Sequence, residues 1–410
     1  PGCNQWHSKG LYQIPYRCLY SKNISNLFLA GRIISTSHVA FGSTRVMATS
    51  ANSAQAVAMA AVLSVKHGLQ NSAVNNHIPQ LQQALLKAGQ FIPGVKANDN
   101  ADLTRTAKIT ASSEYSLQTL TQTDIAHKLE IGMAQLLPVL PGKLPAIGLV
   151  LESVEPTKIV VQLAASSKTV NFTPDVMLEE KQLSLLAGTN VVKLDFETHF
   201  NQEQYVFLII RKNANVSVLL SDERLTAVLS LFQAKNKAVS NDGAQNPPDG
   251  IGMDSFEFWT PQRRPKGLNM AFSCAAPVYT FKAENIQNGY ARPFITPNAW
   301  VAKLEDNTPT LNMKWEKEVS INTIIMSFDT DLDHPMESVL MHHPETVMPF
   351  CVRDYAIFDD KGNLVKQVTG NYQTRNTIKL DATLQTSSLV FKFKHPQINI
   401  PAAVFEIRCY

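Results

Sequence analysis

Tyr205-Val206-Phe207-Leu208-Ile209-Ile210-Arg211, then Lys212-Asn213-Ala214-Asn215, then Val216-Ser217-Val218-Leu219-Leu220-Ser221 reads as a strand, a polar turn and a second strand. β-branched and aromatic side chains fill both runs, and polar residues at hairpin or loop spacing separate them. Upstream, residues 107–112, 147–153, 158–163 and 190–196 repeat the pattern between Pro, Gly, Asn and Asp, with one brief helical candidate at 221–232. Short strands at such intervals predict an antiparallel β-sandwich over residues 101–233. Residues 234–252 hold Asn241, Asp242, Gly243, Asn246, Pro247, Pro248 and Gly250 and read as a linker. Beyond it, 311–315, 321–328, 355–359, 376–380, 389–393 and 404–408 predict a second sandwich over 253–410, with Asp360-Lys361-Gly362-Asn363 as a turn. No short fixed-period repeat is present.

The 410 residues, 44% hydrophobic and 17% charged, are more than one core can use, so two or three domains are expected. A net charge of +3 conceals an asymmetry, because Asp99 is the first acidic residue and Lys9, Arg17, Lys22, Arg32, Arg45, Lys66, Lys87 and Lys96 all precede it. That end would welcome an anionic ligand; no nucleic-acid partner is expected. The five cysteines are widely spaced without a C-x-x-C pair, which indicates neither a zinc site nor a dense disulfide framework. Residues 1–10 have no features of a signal peptide, and the chain is expected to start in mid-protein. The uncharged run 46–65 is broken by Thr49, Ser50, Asn52, Ser53, Gln55 and Ser64, so a buried helix is expected there and no membrane span.

The first 96 residues differ from the rest. Leu27-Phe28-Leu29-Ala30 reads as a short strand ended by Gly31, Gly42-Ser43 as the start of a long helix, and Lys66-His67-Gly68 as its end. A second helix is predicted at 77–88, with Pro79 in its first turn and Gly89 as its stop.

Tyr12-Gln13-Ile14-Pro15-Tyr16-Arg17, Leu27-Phe28-Leu29-Ala30-Gly31-Arg32 and Ser37-His38-Val39-Ala40-Phe41-Gly42-Ser43-Thr44-Arg45-Val46-Met47 together resemble the last segment of a bacterial FAD-dependent oxidoreductase family, some of whose members are labelled xanthan lyase. The resemblance implies an α/β remnant of an FAD-binding domain at 1–96, ahead of the two sandwiches. It implies cofactor contacts from Gly31, Arg32, Gly42, Ser43, Thr44 and Arg45, substrate contacts from Tyr16 and Arg17, and His38 as the base that takes a substrate hydroxyl proton. A helix N-terminus with free N–H groups and nearby cations suits that ligand. The G-x-G-x-x-G fingerprint of the pyrophosphate-binding half occurs nowhere in the 410 residues, so FAD is expected in the complete parent protein and none bound to this chain. The missing N-terminal half of the FAD domain is then a partner. A lyase reading has no Tyr, His and Arg constellation to support it.

Asn298-Ala299-Trp300-Val301-Ala302, Pro309-Thr310-Leu311-Asn312-Met313-Lys314-Trp315, Ile321-Asn322-Thr323-Ile324 and Phe405-Glu406-Ile407-Arg408 are similar to a discoidin-type, galactose-binding-like module, and Val352-Arg353-Asp354-Tyr355-Ala356-Ile357 and Gly370-Asn371-Tyr372 fit its middle strands. The first sandwich shares less of that pattern, mainly Ile109-Thr110-Ala111-Ser112-Ser113. Such modules contact sugars through loops, which makes Trp259, Arg263, Arg264, Tyr290 and Arg292 glycan candidates, whereas Trp300 and Trp315 are expected in the core. A purely scaffolding role is the alternative. Asp329-Thr330-Asp331-Leu332-Asp333-His334 lacks the Gly and the closing Glu of a calcium-binding EF-hand loop, so no metal site is assigned. The functional expectation is the C-terminal portion of an FAD-dependent oxidoreductase acting on a carbohydrate-like or other small-molecule substrate, in the periplasm or secreted. The alternative is a non-enzymatic carbohydrate-binding or structural module.

Overall fold

The computed structural model describes residues 6–7, 9–169, 173–233, 243–261, 268–330 and 348–410. The chain divides into two compact units: residues 11–101, and residues 1–10 together with 102–410.

Residues 11–101 are helical. Helix α1 spans His38–Thr44, α2 Met47–His67 and α3 Ile78–Lys87. The Ala-rich, Gly- and Pro-free run 47–67 sustains α2, and Gly68 ends it in the left-handed conformation at φ +63°. Pro79 starts α3 without loss, because first-turn amides lack an intrahelical acceptor. The core of this unit joins Tyr16, Leu19, Ile34, Ala60, Val74, Leu81 and Leu85.

Two expectations for this unit change. The helix does not begin at Gly42-Ser43: the Ser37 hydroxyl accepts the Ala40 amide at 3.3 Å and starts α1 earlier, and the chain then bends by 93° before restarting at Met47. Gly42, Ser43 and Thr44 therefore lie in the last turn of α1. Leu27 to Ala30 is not a strand either. Only a single bridge between Tyr20 and Phe28 forms, because residues 11–101 offer no neighbouring strand to pair with.

The larger unit is built of antiparallel sheets. In the first sandwich, one sheet runs in the order Thr260–Pro261, Leu229–Phe232, Met133–Val139, Gln204–Ile210, Thr157–Ala165, Val176–Leu185. The facing sheet is centred on Ile147–Ser153, flanked by Gly188–Leu194, Val216–Ser221 and Phe272–Cys274. Leu137, Val161, Leu208, Leu149, Leu151 and Phe272 meet between them. Gly148 lies where these strands touch: a β-carbon there would lie 2.9 Å from the Ser273 hydroxyl, which would have to turn away. The brief helix expected at 221–232 is absent. Leu225, Val228 and Leu231 mimic helical spacing, but Ala227 sits at φ +63°, which no helix interior accepts, and Leu229–Phe232 joins the sheet.

The second sandwich is organised by the long strands Thr310–Ser327 and Arg375–Phe393, with Tyr355–Phe358 and Leu364–Val368 beyond. Its other edge is shared by Lys108–Ala111, which pairs with residues 311–314, and Glu406–Cys409, which pairs with 324–327. Trp300 and Trp315 are buried as expected, and their indole N–H groups donate to the carbonyls of Ser113 (2.9 Å) and Leu103 (2.8 Å).

The strand pairing does not follow a boundary at 234–252. The first sandwich is inserted between Ala111 and Thr280 of the second: Ser116–Leu117 pairs with Tyr279–Thr280 where the chain leaves and returns, and Asn269–Met270 and Phe272–Cys274 belong to the first sandwich. The ribbon Trp300–Val301 with Ala403–Val404 is a wall common to both cores. Side chains alternate across a strand, so Ala299, Val301, Ala403 and Phe405 enter the first core while Trp300, Ala302, Ala402 and Val404 enter the second.

Candidate functional site

The basic stretch from Gly31 to Met47 concentrates the candidate cofactor residues. Gly31 stands at φ +69°, opening a short 3-10 turn that leaves Arg32 exposed. His38 is exposed in the first turn of α1, and Arg45, about two turns later, is exposed at its end with its guanidinium 6.0 Å from the Phe41 ring centre. Residues seven apart lie on the same side of a helix, about 10 Å apart, so His38 and Arg45 share a face. The Ser43 hydroxyl is hydrogen-bonded to the Tyr12 hydroxyl. Thr44 is buried, and its hydroxyl has no partner among the described residues.

At the start of α2, Val46 is the N-cap and offers no side-chain acceptor. The amides of the first turn are therefore directed at whatever lies beyond it. Arg45 stands one residue before this cap, so the helix start that gathers cation, dipole and free N–H groups lies at 45–47, not at 42–45. These residues fit the electron-rich edge of a flavin: two exposed arginines, open amides, a buried hydroxyl and no carboxylate before Asp99. They do not form a site for its pyrophosphate.

Tyr16 and Arg17 part company. Tyr16 is buried, its hydroxyl donates to the Asn71 carbonyl at 2.7 Å, and burial, with a smaller effect of Tyr20, pushes its phenol up to about 12. That makes it a core residue and not a substrate contact. Arg17 is exposed. Sequence reasoning missed Asn71, 2% exposed, whose side-chain amide donates to the carbonyls of Ile24 (2.7 Å) and Leu27 (2.9 Å) and so ties the loop before Gly31 to the 3-10 turn before α3.

The glycan candidates are not brought together. Trp259 is 6% exposed, packed against Gly132 and 5.9 Å from the Arg211 guanidinium, so no ring face is open to a pyranose. Arg263 and Arg264 lie outside the described residues. Tyr290 and Arg292 are half-buried in a loop pinned by Asn298, whose side-chain nitrogen donates to the carbonyls of Phe294 (2.8 Å) and Thr296 (3.0 Å).

A different aromatic is presented to solvent. Tyr372 is 71% exposed, in the loop between Leu364–Val368 and Arg375–Phe393, so Gly370-Asn371-Tyr372 is not part of a strand. The loop is fixed by its neighbour: Asn371 is buried, donates to the Val352 carbonyl at 2.9 Å, accepts from Asn376 at 2.8 Å, and through its own amide reaches the Arg353 carbonyl at 2.9 Å. Exposed Arg353 and Gln373 flank it. The signal in the sequence was the Gly-Asn pair ahead of the Tyr, a turn composition. Asp331, Asp333, His334, His342 and His343 lie outside the described residues, and among the described residues no three His, Cys, Asp or Glu gather as a metal site.

The family model described as FAD dependent oxidoreductase matches residues 1–85. Residues 1–85 are therefore similar to a segment of that family. The match supports that part of the sequence reading and carries no statement about the remaining residues. No curated protein matches the chain. Among solved structures, it is similar to the family 32 carbohydrate-binding module from Streptococcus pneumoniae EndoD, at 16% identity and a TM-score of 0.25, over 32% of this chain and 85% of that one. The family 32 module of Clostridium perfringens NanJ in complex with galactose is 14% identical, TM-score 0.23, over 31% and 83%. A Streptococcus pneumoniae fucose binding module is 12% identical, TM-score 0.24, over 32% and 82%. The sandwich fold itself is carried by the strand pairing. Among the described residues no single helix is long and apolar enough to cross a membrane; α1 and α2 pass such a test only as a pair bent by 93°.

Proposed function

We propose that residues 11–96 are one flank of an FAD-binding domain, completed by an upstream half that holds the pyrophosphate, in a secreted or periplasmic bacterial oxidoreductase of carbohydrate-like substrates. The observation that carries this is the family match over residues 1–85, and the surface of the same segment supports it. Helix α2 buries only Ser53, Ala60 and Ser64, while Met47, Val62 and Val65 are 87%, 59% and 85% exposed. Large apolar side chains left open on a mainly small-residue helix are what the remainder of a larger domain would cover. Bound flavin supplies the acceptor for a hydride. Around it, Arg32 and Arg45 stabilise negative charge, the open amides of α2 receive electron-rich oxygens, and exposed His38 takes the hydroxyl proton at a ring nitrogen.

The sandwich unit contributes carbohydrate contact in this reading. Tyr372 is the residue best placed for it, since a rigidly held, open ring can stack on a pyranose face while Arg353 and Gln373 meet hydroxyls. The enzymatic reading is tested by anaerobic titration of the complete flavoprotein with sugars: bleaching of the flavin band supports it, and bleaching unchanged in His38→Ala removes His38 as the base. For Tyr372, a glycan array or affinity electrophoresis should show binding lost at least tenfold in Tyr372→Ala. Retention of binding by that variant assigns the contact elsewhere.

A further inference from the structure

Residues 6–7 and 9–10 fall inside the family-matched segment, yet they group with the sandwich unit and not with residues 11–101. Gln245, 1% exposed, accepts the His7 amide at 2.9 Å and donates to the His7 carbonyl at 2.8 Å, with its remaining proton on the Asp254 carbonyl at 2.7 Å. One primary amide thus meets both backbone groups of one residue, as a neighbouring β-strand would. The His7 ring stands edge-on to Phe258 at 5.5 Å. Two residues on, the Lys9 ammonium pairs with Asp175 at 2.9 Å, with side-chain exposures of 16% and 6%, and lies 6.0 Å from the Phe256 ring centre. Asp175 is held from its other side by the Ser167 amide at 2.7 Å and hydroxyl at 2.5 Å.

Take the peptide away and this surface is left in poor order. A nearly inaccessible amide loses two of its three partners and a nearly inaccessible carboxylate loses its cation, both costly in a buried place. We propose that the ribbon Ala244–Gln245 with Phe256–Glu257, the adjoining Phe258 and Asp175 of the first sandwich form a peptide clamp for a segment with a lysine two residues after the clamped one, and that the residues it grips are His7 and Lys9 of the same chain. The peptide it grips belongs to the sandwich unit and ends at Gly10, one residue before the helical unit begins at Leu11.

This rests on hydrogen bonds and burial in the sandwich and not on flavin, so it stands or falls separately from the proposed function. Hydrogen exchange of the full 410-residue chain, read by mass spectrometry on peptides covering 6–11 and 204–210, tests it. In the wild type the first peptide should be protected; Gln245→Ala should speed its exchange about tenfold or more, while 204–210, in the middle of the sandwich, stays protected. Lys9→Ala, which removes no core atom, should do the same to a smaller degree even where Gln245→Ala disturbs folding. Exchange of 6–11 at the unprotected rate in the wild type, or exchange unaltered by either variant, overturns the clamp.

Discussion

Tyr16 shows how a residue chosen for its motif turns out to be structural. A phenol with its hydroxyl on the Asn71 carbonyl and its pKa raised from 10.0 to about 12 by burial is held neutral in the folded state. The folded pKa lies above the unfolded one, so the stability Tyr16 contributes is complete below pH 10 and is lost as pH rises toward about 12. Urea midpoints of residues 11–101 at pH 8 and pH 11 should therefore differ for the wild type and differ less for Tyr16→Phe; an equal drop in both would place the alkaline transition on another group. Asn71, which receives that hydroxyl, left no trace in the sequence beyond being one Asn among several in 71–76. Its importance lies in contacts with residues 44 to 50 positions earlier, and no local pattern records those.

Helix ends were legible in kind but displaced in position. Gly68 and Gly89 stop α2 and α3 as their composition predicts, because a left-handed C-terminal residue is a local requirement. The start was misplaced because Ser37 and Ser43 are equally good caps by type, and the bend at Arg45-Val46 decides between them. The electrostatic consequence survives the shift. Arg45 sits two residues before α2, next to its N-cap Val46, and Lys66 lies at the other end, about 30 Å away at 1.5 Å per residue. With a Debye length of about 8 Å, only the nearer charge is felt at the helix start. In the complete flavoprotein, Arg45→Ala should weaken flavin binding or lower the reduction potential more than Lys66→Ala does, as read by flavin titration and redox potentiometry. Equal effects would leave α2 a packing element only.

At the scale of the molecule, the strands of both sandwiches were readable from alternation, but the partners were not. Lys108–Ala111 reads the same whether it pairs with the strand that follows or with one 200 residues on, and the composition of 234–252 suggested a boundary that strand pairing ignores. With 299–302 and 402–405 feeding both cores, the two sandwiches should unfold together. Cutting at an engineered protease site within 234–242 should leave the halves associated through gel filtration, and residues 253–410 expressed alone, lacking Lys108–Ala111 and Trp300's acceptor at Ser113, should fail to fold. Two separate calorimetric transitions, or a stable 253–410 fragment, would show instead that each sandwich has a self-sufficient core.

The flavin reading is tested most directly by what co-purifies with the protein. The 410-residue chain and the same chain extended by its upstream coding sequence, each purified in the presence of FAD, are compared by absorbance near ~450 nm, a generic flavin property. About one flavin per extended chain and none with the 410 residues alone is the expected result. Stoichiometric flavin on the 410 residues, or an extended protein that remains colourless, would contradict it.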